Sequence, residues 1–131
     1  EVDLVTTEGE KATITKTNYK EMYYSFAQQL AHHTACGCPM RIGDLIGSGT
    51  ISGKSKGSRG SMLELSWGGN EPIIISENVS RSFLEDGDTV IIRGCAKKEN
   101  YKIGFGSCIG QVLGDQDQLP KSNGLHKCLR K

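Results

Sequence analysis

The chain has 131 residues, enough for one domain of ordinary size and too few for two full ones. Charged residues make up 24% and the formal net charge is +1, so no global field argues for nucleic acid or an anionic membrane surface. The longest purely apolar runs are Ile73-Ile74-Ile75 and Val90-Ile91-Ile92, far short of the ~20 residues a membrane-spanning helix needs.

In chain order, Val2 and Leu4 alternate with Asp3, and Ala12 and Ile14 alternate with Thr13 and Thr15. This predicts two strands, over 2–5 and 12–15, joined by a polar turn at Glu8-Gly9-Glu10. Residues 18–36 are expected to form the one convincing helix. Asn18 suits an N-cap, with Glu21 as its capping-box partner. Tyr19, Tyr23, Phe26 and Leu30 make one apolar stripe. Gly37 can close the helix in the left-handed region, and Pro39 prevents its continuation. Between Gly43 and Gly69 there are eight glycines. Short apolar pieces survive there at Leu45-Ile46, at Ile51 and from Met62 to Trp67, the last read as a strand. Further strands are expected at Ile73–Ile75, Thr89–Arg93, Lys102–Phe105 and 108–113. Asp86-Gly87-Asp88 and Lys98-Glu99-Asn100 supply turn chemistry between them. The expected fold class is α+β, mainly β, with one amphipathic helix packed on short strands. From Gly114 the pattern fails, so 114–131 is expected to be a disordered basic tail.

Several motifs invite chemistry. Ser48-Gly-Thr-Ile-Ser-Gly-Lys-Ser55 fails as a phosphate loop, because Ser48 stands where the motif needs Gly and no helical pattern follows. What survives is weaker. Gly47, Gly49 and Gly53 permit close backbone approach to a ligand, with the Thr50 hydroxyl presented among them; a bulged strand and surface loop is the plainer reading. In a strand over 62–67, Leu63, Leu65 and Trp67 would face the core and Glu64 would point to solvent or a cleft. Partial desolvation there would raise the Glu64 pKa or require a hydrogen-bonding or positive partner. His32, His33, Cys36 and Cys38 lack the pair spacing of a zinc site, and His126 and Cys128 are remote in sequence. The basic loop Lys54, Lys56, Arg59 has no interleaved aromatic residue, which argues against nucleic acid.

Five cysteines, at 36, 38, 95, 108 and 128, cannot pair completely within one chain. No stretch has a signal-peptide pattern, so free thiols in a reducing compartment are expected. Residue 1 is Glu, which suggests a processed or trimmed chain, or part of a longer one.

Arg41-Ile-Gly-Asp-Leu-Ile-Gly-Ser-Gly-Thr-Ile-Ser-Gly53, followed by Gly60-Ser-Met-Leu-Glu-Leu-Ser-Trp67, resembles the fumarylacetoacetase family. Asn18-Tyr-Lys-Glu-Met-Tyr23 with Gln28-Gln-Leu-Ala-His-His33, Phe83-Leu-Glu-Asp-Gly-Asp88 and Tyr101-Lys-Ile-Gly-Phe-Gly106 match in the same register. The resemblance runs from about residue 1 to 113. It implies the C-terminal part of a catalytic domain with a mixed β-sandwich or roll fold. It also implies a cytoplasmic homodimer that hydrolyses a carbon–carbon bond of a diketo acid, giving fumarate and acetoacetate in tyrosine and phenylalanine breakdown. By the resemblance, Glu64 is the acid of a His–Glu pair that activates water, and Thr50 contacts the small-molecule substrate. Mg²⁺ and Ca²⁺ serve the family, but their ligands and the catalytic His have no counterpart in this chain, so the 131 residues alone are expected to be inactive. A β-rich binding or assembly module without chemistry remains an alternative, as does a related acylpyruvate hydrolase; the 61–67 string argues against the latter. Neither a nucleic-acid nor a membrane partner is expected.

Overall fold

The structure, a computed structural model, describes residues 1–114. The tail expected over 114–131, with His126 and Cys128, lies outside the described residues apart from Gly114. Strands β1 (Val2–Val5) and β2 (Lys11–Thr15) form the expected hairpin. Its turn closes with Thr6 N–H donating to the Glu10 carbonyl at 2.9 Å, and Gly9 supplies the positive φ of +85°. The long strands β5 (Thr89–Lys98) and β6 (Tyr101–Gln111) complete an antiparallel sheet in the order β2-β1-β5-β6. The pieces expected at 102–105 and 108–113 are one strand. A register shift between Arg93 and Cys95 marks a bulge at Gly94, where the missing side chain lets the ladder bend.

Two short strands, β3 (Ile73–Ile74) and β4 (Ser80–Arg81), form a second antiparallel pair. Arg81 fastens this pair to the main sheet. Its guanidinium donates to both carboxylate oxygens of Asp88, at 3.1 and 3.3 Å, and to Glu8 in the β1–β2 turn at 3.1 Å. Both Arg81 and Asp88 are buried. A second buried carboxylate, Asp3, accepts from Lys11, Arg93 and Thr13. These donors hold its pKa well below the usual carboxylate range against the upward push of burial. The apolar core of the described residues is small: Leu4, Leu65 and Ile75. Ile92, Ile103, Phe105 and Ile109 stay exposed along β5 and β6.

The helix departs from expectation in its start. Helix α1 spans Phe26–Ala35 and none of its residues is buried. Asn18 caps only a single 3₁₀ turn, Tyr19–Glu21, by accepting from Lys20 N–H at 3.0 Å. The capping box forms at Ser25 instead: its hydroxyl accepts from Gln28 N–H, and the Gln28 side chain accepts from Ser25 N–H. The stripe partly survives the break, because the Tyr19 and Phe26 rings stack with centroids 4.8 Å apart. Gly37 ends the helix at φ +82°, as anticipated. No helix of the described residues is long and apolar enough to cross a membrane.

Candidate functional site

The segment read as a strand over 62–67 is a helix. Helix α2 spans Met62–Leu65. Ser61 caps it, accepting from Glu64 N–H at 3.3 Å. Trp67, Gly68 and Gly69 then take positive φ of +49°, +66° and +91°, which ends the turn abruptly. A strand would carry Leu63, Leu65 and Trp67 on one face. The helix separates them: Leu65 is buried, while Leu63 and Trp67 are 61% and 62% exposed. The alternation was a coincidence of spacing; Ser-x-x-Glu, the capping signature, was the signal that decided the local structure.

The helix brings Glu64 over the loop that precedes it. Ser52 Oγ donates to Glu64 Oε2 at 2.6 Å, and Ser61 Oγ donates to the same oxygen at 3.1 Å. The Glu64 pKa is therefore lowered, first by the Ser52 hydroxyl, while burial pushes it up and Ser61 and nearby backbone N–H groups push it down. Of the two expected outcomes, a raised pKa or a hydrogen-bonding partner, the second holds: desolvation is present, but hydrogen bonds to the charged form outweigh it. Arg59 spans the back of the helix. Its guanidinium donates to the Glu64 carbonyl at 2.9 Å and lies 5.7 Å from the centre of the Trp67 ring.

Strand β2 anchors this loop. The buried Thr15 hydroxyl donates to the Arg59 carbonyl at 2.7 Å, and Lys16 N–H donates to the Gly57 carbonyl at 2.9 Å. Gly60 is forced by close approach rather than by φ. A Cβ there would sit 2.7 Å from the Ile51 nitrogen and 2.8 Å from its carbonyl oxygen. Gly60→Ala is expected to push residues 51 and 60 apart, at ~1–3 kcal/mol as in other overpacked sites. Thermal melting of a complete enzyme carrying this segment should register that loss together with reduced turnover. An unchanged melt would show that the backbone relaxes freely.

Thr50 is exposed on the loop just after Gly49, whose φ is +76°. It stands two residues before Ser52, so the same strand of loop carries both the Thr50 hydroxyl and the grip on Glu64. A concavity of about 710 Å³ opens elsewhere, between α1 and residues 38–48, lined among others by Tyr23, His33, Met40 and Leu45. Neither Thr50 nor Glu64 lines it. Cys36, Cys38, Cys95 and Cys108 are free and exposed.

Residues 3–113 match the family model described as fumarylacetoacetate (FAA) hydrolase C-terminal. The chain belongs to the fumarylacetoacetate hydrolase family. It is 53% identical to a human fumarylacetoacetase over 105 residues, which cover 80% of this chain and 25% of that protein. It is 50% identical to fumarylacetoacetase fahA of Aspergillus fumigatus over 113 residues, 86% of this chain and 26% of that protein. A rice fumarylacetoacetase is 47% identical over 106 residues, 81% and 24% of the two chains. The chain thus spans about a quarter of the length of the curated relatives it matches. Both segments that carry Thr50 and Glu64 fall within the family match. Among the described residues no three His, Cys, Asp or Glu side chains come together to hold a metal ion, so these residues do not fit the divalent ion that the resemblance implies. Sequence reasoning missed Ser52, Arg59 and Gly60, whose roles depend on a loop closing over twelve residues and leave no periodic trace.

Proposed function

We propose that this chain is the C-terminal part of a hydrolase that cleaves fumarylacetoacetate with water to fumarate and acetoacetate. In such a cleavage the oxygen of water adds to one carbonyl carbon, and the carbon–carbon bond beside it breaks. The electron pair leaves on a carbon next to the second carbonyl, as an enolate that a proton converts to acetoacetate. Glu64 accepts from the imidazole that takes the proton of water, orienting it and stabilising its charged form. That imidazole comes from outside the described residues, because neither His32 nor His33 corresponds to it. Thr50 donates to the substrate from among its glycines. The complete enzyme is a cytoplasmic homodimer in tyrosine and phenylalanine breakdown, with the ligands of Mg²⁺ and Ca²⁺ supplied elsewhere.

The observation that supports this reading is Glu64 itself: a partly buried carboxylate, kept ionised by two hydroxyls that converge on one of its oxygens. A complete enzyme carrying residues 3–113 should release fumarate from fumarylacetoacetate, whereas the 131-residue chain alone should not. A folded complete enzyme without this activity would refute the assignment. In the active enzyme, Thr50→Val is expected to raise KM by the loss of one hydrogen bond, ~0.5–1.5 kcal/mol, or up to ~3 if the acceptor is charged. An unchanged KM would remove Thr50 from the substrate site.

A further inference from the structure

The loop that closes over Glu64 contains a second feature of chemical consequence. Ser52 is partly buried, and its hydroxyl stands between two groups of fixed polarity. The Gly60 N–H, which can only donate, lies 3.0 Å from Ser52 Oγ. The ionised Glu64 carboxylate, which can only accept, lies 2.6 Å away. The hydroxyl therefore accepts from Gly60 and directs its single proton at Glu64 Oε2. Gly60 in turn lies so close to Ile51 that a Cβ on it would stand 2.7 Å from the Ile51 nitrogen. Ser61 adds its own hydroxyl to Oε2. Both hydroxyls therefore converge on Oε2, and neither of them reaches Oε1.

We propose that Ser52 is a positioning residue of this active site, which orients the Glu64 carboxylate so that Oε1 meets the catalytic base. The inference rests on the reading of Glu64 as that base's acidic partner. Ser52 acts through the carboxylate, to which its hydroxyl donates. It differs from Ser61 in kind. Ser61 is also the helix cap, so its loss would disturb α2 itself, whereas Ser52 belongs to the neighbouring loop. The charged groups nearby do not duplicate its effect. Among the described residues, Arg59 is the charged side chain bound to residue 64, and it binds the backbone carbonyl rather than the carboxylate. Lys56 is paired with Glu71 instead.

The test is the pH profile of kcat and KM in a complete enzyme carrying this segment, comparing Ser52→Ala, Ser52→Thr and Glu64→Gln. Ser52→Ala removes a donor to the charged carboxylate. Glu64 then holds its proton to higher pH, and the acid limb of kcat/KM moves upward. Turnover at neutral pH should fall roughly ten- to a hundredfold, the effect of one hydrogen bond to a charged group, with KM little changed. Ser52→Thr keeps the hydroxyl and should restore both. Ser52→Cys, a weaker donor of similar size, carries the same test where the alanine variant does not fold. A lower melting temperature with an unmoved acid limb would overturn the proposal and leave Ser52 a structural residue. An unaltered Ser52→Ala profile beside an inactive Glu64→Gln variant would overturn it while the reading of Glu64 stands. A fully active Glu64→Gln variant would overturn both.

Discussion

Glu64→Gln, in a complete enzyme carrying this segment, is expected to cut turnover ~10²–10⁴-fold, the usual range for lost acid–base assistance, with the fold intact. Glutamine has nearly the shape of glutamate, and its amide oxygen can still accept from Ser52 and Ser61 at the position of Oε2. The cradle would therefore hold it in place. What changes is the other end of the group. An NH₂ then stands where Oε1 stood, and it presents a donor to the imidazole N–H that should be donating to it. The base is left in the wrong tautomer or turned away, and no negative charge stabilises its protonated form. Because Glu64 is tied down by two hydroxyls, the amide cannot escape by swinging into solvent. The measurement is kcat under saturating substrate, with the melting temperature recorded beside it. Turnover within a factor of two of the unsubstituted enzyme would place Glu64 outside the chemistry.

Parts of the fold were legible because burial writes a period into the chain. The β1–β2 hairpin is one: in β2 Ala12 and Ile14 are half-buried between the exposed Lys11 and Thr13, and Gly9 sits where a positive φ is needed. The ends of β5 and β6 were not legible. From Gly94 to Lys98, and along the whole of β6, the residues are exposed, so no alternation records which way each side chain points. Gly104, Gly106 and Gly110 then read as breaks within what is one strand. Asn18 with Glu21 and Ser25 with Gln28 share the capping-box spacing, and in the structure only the second pair closes the box. In α2 a chance alternation of Leu63, Leu65 and Trp67 outweighed a capping pair that was visible in the same six residues. The candidate site was half legible. Glu64 and Thr50 stood out by resemblance, but the hydroxyl that holds Glu64 comes from twelve residues upstream. Only the closure of the 52–60 loop onto β2 brings it there.

The largest effect on stability is expected at Arg81. Its guanidinium is buried against Asp88, which has no exposed surface, and no other cation reaches that carboxylate among the described residues. Arg81→Leu would leave Asp88 with the Glu85 N–H, at 3.0 Å, as its remaining hydrogen-bond donor there. Leaving one member of a buried pair without its partner costs about 3–5 kcal/mol. Roughly 3 kcal/mol is the value expected here, because Glu8 and Glu85 reach the same arginine from solvent and water can follow them in. The loss should be local at first. Arg81 joins the β3–β4 pair to the β1–β2 turn and to the start of β5, so amide exchange should accelerate in those strands before it does so in β6. Arg81→Lys should recover only part of the loss, since a single ammonium cannot bridge both Asp88 oxygens as the guanidinium does. A double variant, Arg81→Met with Asp88→Leu, removes both charges and is expected to regain most of the stability. If the double variant exchanges as fast as Arg81→Leu, the cost lies in the broken links to Glu8 and Glu85 rather than in a stranded charge. If Arg81→Leu costs less than about 1 kcal/mol, then the pair is already wet, and the second sheet is held by β3 and β4 packing alone.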